Sequence, residues 1–220
     1  MADIEEWRIS MFNTILFDLD GTIMNTAQGI TNGVKYALEK YGMEPLDYET
    51  REKFIGPPIR DSFIKYSGVD DSVASALLAL YREFYSKDGL LQCEPYEGIE
   101  KLLSDLCGQG RTLYVATAKP TPYSKAILDE WNLSKYFKDI IGAGFDKNFE
   151  TKDKIVKYVC DIAEDKNMIM VGDTCFDVYG AKAAGIPSIG VLYGFGDHEE
   201  LYASKPEYIA ETVSDIRRFT

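Results

Sequence analysis

Apolar residues along this chain fall into two rhythms. The first is a set of short unbroken runs: Thr14–Phe17, Thr112–Ala116, Ile140–Ile141, Met168–Val171 and Ser188–Val191. They are too short for helices and rich in β-branched or aromatic residues, which predicts strands buried on both faces. The second is helical spacing. Ile99, Leu102, Leu103 and Leu106 mark a helix ended by Gly108 and Gly110. Further helices run from about Thr121 to Trp131, through Ile155, Val159 and Ile162, and from Cys175 to Ala184. From Tyr96 onward strand and helix alternate to the end. That alternation predicts an α/β fold, a Rossmann-like parallel sheet with helices on both faces.

Residues 24–96 follow a different pattern. Ile30, Val34, Ala37, Leu38 and Tyr41 keep helical spacing from Thr26, and Gly42 supplies the stop. The stretch Glu44–Ser67 is polar and broken by Gly56-Pro57-Pro58. Asp70 or Asp71 then caps a helix with Val73, Leu77, Leu80, Tyr81 and Phe84 on one face. The block reads as all-helical, without a strand, inserted after the first strand with hinges near Met24–Thr26 and Glu94–Gly98. The expected organisation is an α/β core from residues 1–23 and 97–220, interrupted by a helical domain at 24–96.

Composition narrows the partners. Lys plus Arg number 24 against 36 Asp plus Glu, a net charge of −12, which argues against nucleic-acid and anionic-membrane partners. Cys93, Cys107, Cys160 and Cys175 are scattered without a Cys-x-x-Cys pair, the pattern of reduced thiols in a cytoplasmic protein. The opening Met-Ala-Asp-Ile-Glu-Glu-Trp lacks the basic and apolar regions of a signal peptide, and no apolar run approaches a membrane span. His198 is the only histidine and sits in a charged stretch, so histidine acid–base chemistry is not expected.

The candidate chemistry lies where the predicted strands end, because the carboxyl edge of an open parallel sheet is where ligands bind. The first strand runs into Asp18-Leu19-Asp20-Gly21-Thr22. Residues two apart on an extended chain point the same way, so Asp18 and Asp20 are expected to project together. Their mutual repulsion calls for a cation or a shared proton, and Mg²⁺ suits oxygen ligands while leaving room for a phosphate. The same Asp-x-Asp-Gly also suits a solvated turn. The strand at 112–116 delivers Thr117, Ala118 and Lys119, a hydroxyl and an ammonium able to hold phosphoryl oxygens, although Thr117 also suits a strand-end cap. The strand at 168–171 delivers Asp173, with Asp177 one helical turn on; both also suit helix capping. Lys152 and Lys154 open a helix at the end where the macrodipole disfavours cations, which a compensating charge would explain.

Together these residues, in this order, resemble the four motifs of the haloacid dehalogenase-like superfamily. Phe54-Ile55-Gly56-Pro57-Pro58-Ile59-Arg60 and Gly180-Ala181-Lys182-Ala183-Ala184-Gly185-Ile186-Pro187 look like its phosphoglycolate-phosphatase-like branch. The resemblance implies a Mg²⁺-dependent phosphatase acting on a small phosphorylated metabolite, with the helical block as a mobile cap. It makes Asp18 the nucleophile that forms an aspartyl-phosphate and Asp20 the acid and base. It gives the metal to the Asp18 side chain, the Asp20 backbone carbonyl and Asp173, with Asp177 behind. Thr117 and Lys152 would steady the phosphoryl group and nucleophile; Lys152 fits the motif better, and Lys154 stays open. Relatives that dehalogenate organic acids lack the second aspartate, and phosphosugar mutase relatives carry a histidine soon after the first motif that this chain lacks. Arg60 would either place a cation over the site, suiting a phosphoglycolate-like substrate, or lie on the surface. A receiver-like phospho-acceptor module and an inactive binding protein on the same scaffold are the competing readings. Oligomeric state is not legible.

Overall fold

Three of the apolar runs become the centre of one sheet, and their pairing fixes everything at its edge. The computed structural model describes residues 12–144 and 151–220; the N-terminal heptapeptide read above lies outside them. Strand β1 (Thr14–Phe17) leads through a two-residue strand β2 (Met24–Asn25) into helices α1 (Ala27–Tyr41), α2 (Tyr48–Glu52), α3 (Ile59–Ser67) and α4 (Asp71–Phe84). A π-helical turn, Tyr85–Gly89, and strand β3 (Glu94–Pro95) close the insertion. Then follow α5 (Ile99–Gly108), β4 (Thr112–Pro120), α6 (Thr121–Glu130), β5 (Asp139–Ala143), α7 (Lys152–Ile162), β6 (Met168–Gly172), α8 (Cys175–Ala184), β7 (Ser188–Val191), α9 (His198–Ser204) and β8 (Tyr208–Ala210).

The six-stranded sheet has the order β5-β4-β1-β6-β7-β8, and all its pairings are parallel. Phe17 pairs with Val115 on one side and Val171 on the other, so the three strands end level. The chain winds outward from β1 through β4 and β5, then returns to β6 on the opposite side. That reversal makes the crevice beyond β1 a topological switch point. Alternation along the strands sorts the two faces. Ile15, Phe17, Leu113, Val115, Ile169 and Val171 pack with α5 and α6. Leu16, Tyr114, Ala116, Met168 and Met170 pack with α7 and Ala181 of α8.

The insertion has its own apolar cluster, centred on Val34, Leu38, Phe54, Phe63 and Leu77, with Tyr123 of α6 and Phe195 packed against it. One expectation needs correcting. The block is not purely helical: β2 and β3 pair antiparallel across its two ends, Met24 opposite Pro95. Within the polar stretch 44–67, Asp47 caps α2 and α3 starts directly after Pro58. Asp70, rather than Asp71, caps α4, accepting from the amides of Ser72 and Val73. Among the described residues no helix is long and apolar enough to cross a membrane.

Candidate active site

Strand parity decides which way the first aspartate faces. Asp18 continues the β1 ladder through its amide, which donates to the Val171 carbonyl at 2.9 Å. It shares parity with Leu16, so its carboxylate turns toward the α7 and α8 face. There Lys152, the first residue of α7, places Nζ 2.7 Å from Asp18 Oδ1 and 2.8 Å from Asp177 Oδ1, and donates to the Ala116 carbonyl at 3.1 Å. These anions supply the compensating charge for a lysine at a helix N-terminus. Burial alone would lower the Lys152 pKa, but Asp177 and Asp18 more than offset it and hold the ammonium charged.

Asp177 has two attachments. Its Oδ2 accepts from the Thr174 amide at 3.0 Å and the Thr174 hydroxyl at 2.7 Å, completing the capping box of α8. Asp173, at the end of β6, accepts on Oδ2 from the amides of Phe195 at 2.9 Å and Gly196 at 3.2 Å, and on Oδ1 from the Thr22 hydroxyl at 3.4 Å. One carboxylate oxygen from each of Asp18, Asp173 and Asp177 lies within 4.8 Å of the others, and all three residues are buried. Burial, followed by the Asp177 and Asp18 charges, drives Asp173 well above the usual carboxylate range. Burial pushes Asp18 up to about 6, with Lys152 opposing and Asp177 and Asp20 adding to the rise. Among the described residues, three buried carboxylates face one buried ammonium, so this cluster is anionic unless it holds protons or a cation. A hard divalent ion fits that donor set, which is all oxygen.

Residues 15–191 match the family described as haloacid dehalogenase-like hydrolase. The chain belongs to this family. It is 35% identical over 209 residues to a 5'-nucleotidase of Pseudomonas aeruginosa, covering 94% of this chain and 95% of that one. It is 26% identical to a phosphoglycolate phosphatase of Vibrio parahaemolyticus, covering 92% and 93%. A crystal structure of a predicted phosphatase from Clostridium acetobutylicum superposes with a TM-score of 0.88 at 40% identity, covering 95% of this chain and 98% of that one.

Asp18, Lys152, Asp173 and Asp177 come together at the strand ends, and Thr117 and Ala118 line a cavity with Asp18, Asp20 and Lys152. Thr117 is buried, and its hydroxyl accepts from the Lys119 amide at 3.2 Å, leaving its proton free to donate. Asp18 and Asp20 line one cavity. The chain turns at Gly21, φ +79°, and the two carboxylates go to different lysines, Asp18 to Lys152 and Asp20 to Lys119. Lys154 is exposed on α7, away from this arrangement. Arg60 lines the cavity, but its guanidinium pairs with Asp71 and, at 3.6 Å, with Asp61.

Sequence reasoning missed the loop after β7. Gly194, Phe195 and Gly196 wrap Asp173 so closely that a Cβ on Gly194 would stand 2.3 Å from Asp173 Cβ and 2.5 Å from the Gly21 carbonyl oxygen. The signal was available: a glycine pair beyond another strand of the same sheet edge. Outer contacts of this kind orient ligands and tune affinity by roughly 10–100-fold. Gly194→Ala is therefore expected to raise the divalent-metal concentration for half-maximal turnover by at least about tenfold, read from metal titrations of activity.

Proposed function

We propose that this haloacid dehalogenase-like phosphatase hydrolyses a small phosphate monoester in two steps through an aspartyl-phosphate on Asp18, with Mg²⁺ as cofactor. The observation that carries the reading is the imbalance of three buried carboxylates around one ammonium beside a separately held Asp20. Asp18, Asp173 and Asp177, with the Asp20 backbone carbonyl, are the groups that would hold the ion. When bound, Mg²⁺ neutralises the cluster and screens the incoming phosphate from it.

The chain's own residues supply the rest. Asp18 attacks phosphorus, forming the Asp18–phosphorus bond as the ester oxygen departs with a proton from Asp20. Water then attacks phosphorus, gives its proton back to Asp20 and frees inorganic phosphate and the Asp18 carboxylate. Lys152 holds Asp18 in place, and the Thr117 hydroxyl donates to a phosphoryl oxygen. Residues 24–96 act as a cap that selects the leaving group.

That leaving group sits in a cavity of about 750 Å³ walled by Phe54, Tyr85, Tyr123, Phe176 and Tyr179. The space and aromatic lining favour something larger than glycolate, and Arg60 is already engaged by Asp61 and Asp71. A nucleoside 5'-monophosphate, the ester class that the name of the Pseudomonas aeruginosa relative indicates, is therefore the first substrate to try, and phosphoglycolate the second. Family membership sets aside the receiver-like alternative.

The test is a phosphate-release assay across both esters with and without Mg²⁺; turnover that survives chelation rejects the reading. Metal removal carries a second signature. Asp18 rises from 3.8 to about 6 on folding, so the folded state keeps a proton that the unfolded chain has lost. The associated stability is full below about pH 4 and disappears as pH rises through about 6. In chelator the protein should melt about 3–6 °C lower at pH 8 than at pH 5, and Mg²⁺ should reverse the difference. Equal melting at both pH values, unmoved by Mg²⁺, contradicts the metal assignment.

A further inference from the structure

Lys119 follows Thr117 closely in the chain and lines the same cavity, where its ammonium is taken by Asp20. Its Nζ lies 2.8 Å from Asp20 Oδ1 and 2.9 Å from Asp20 Oδ2. The lysine side chain is 4% exposed and the aspartate side chain 13%. On its other side the ammonium stands 5.1 Å from the centre of the Tyr85 ring, which the π-helical turn brings over from the insertion. Both carboxylate oxygens and an aromatic face are thus taken up by one cation.

The backbone is shaped for this. Pairing of β4 with β5 shifts register between Thr117 and Pro120, a bulge of the kind that re-aims a side chain. Gly142 of β5 lets the strands close there, since a Cβ on it would lie 2.2 Å from the Lys119 carbonyl oxygen. The Ser124 hydroxyl donates to that same carbonyl at 3.5 Å. Tyr85 stacks on Tyr81 at 5.2 Å and meets Tyr123 edge-on at 5.9 Å, so its ring is held as well.

We propose that Lys119 is a positioning residue for Asp20 rather than a phosphate-binding one: it fixes the carboxylate that serves the leaving oxygen, with Tyr85 of the insertion holding the lysine in turn. This rests on the reading of Asp20 as acid and base given above. It replaces the sequence-based expectation that Lys119 binds phosphoryl oxygens.

Protonation matters most when the leaving group is a poor one. The ratio of kcat/KM for an alkyl phosphate to that for 4-nitrophenyl phosphate therefore isolates Asp20 in the first step. It also cancels the fraction of folded enzyme, because both values come from one preparation. For Lys119→Met, kcat/KM for an alkyl phosphate that the wild type turns over should fall by about 100-fold or more, and for 4-nitrophenyl phosphate by less than about tenfold. Lys119→Arg should recover most of the alkyl activity, and Tyr85→Leu should show the same selective loss at smaller size. Equal losses on both esters mean that Lys119 serves the phosphoryl group and overturn the proposal, as does an unchanged ratio with full activity. A wild type inactive on every ester overturns the phosphatase reading itself, and the proposal with it.

Discussion

Asp18→Asn is expected to lower turnover by about ten-thousandfold or more while leaving the fold intact. The amide cannot form the acyl-phosphate bond, and no other carboxylate can replace it. Asp173 is held by two loop amides, Asp177 by Thr174 and Lys152, and Asp20 by Lys119. The variant should also gain metal-free stability at pH 8. One buried charge leaves a cluster in which burial pushes that very group up to about 6, so chelated Asp18→Asn should melt about 5 °C above chelated wild type. Mg²⁺ should then add less to the variant than to wild type. Phosphate release measures the first effect and thermal melting with and without chelator the second. Residual activity within a hundredfold of wild type would move the nucleophile elsewhere.

Lys152→Met should be the most damaging change to stability at the site. It leaves Asp18 and Asp177 without their shared ammonium while the lysine and both acids lie at side-chain exposures of 8%, 9% and 1%. Removing one partner of such a buried pair costs about 3–5 kcal/mol. For a chain of this size that lowers the metal-free melting temperature by roughly 6–20 °C. Saturating Mg²⁺ should return part of the loss, because a second cation then meets the same oxygens. Lys154→Met is the control: its side chain is exposed, and its melting temperature should stay within about 2 °C of wild type. Matching losses in the two variants would deny Lys152 its place.

The parts of the fold that were legible share a physical cause. β1 and α8 end where the sequence places them because an apolar run meets the charge of Asp18 in one and an apolar stripe meets Gly185 in the other, and the sheet buries both faces of β1. α2 was invisible because none of its five residues is buried, so no stripe marks it. β2, β3 and β8 are two or three residues long and exist through their partners. At the site, Asp18 and Asp20 line one cavity, but strand parity says nothing of which lysine each carboxylate takes. The Lys119 pairing was hidden for a related reason: β4 runs on to Pro120 and bulges, and a bulge overturns the alternation on which sequence reading depends.

The central place of β1 shapes how this protein comes into being at the ribosome. Asp18, the proposed nucleophile, is made before all its partners: the strand that leads to it has no bonded neighbour until residues 112–115 are made and no second until residues 168–171. Lys152, Asp173 and Asp177 arrive equally late. Nascent chains stopped before residue 152 therefore carry Asp18 without its lysine or its acidic companions, and the charge cluster assembles only once residues 152–177 have been made rather than growing with length.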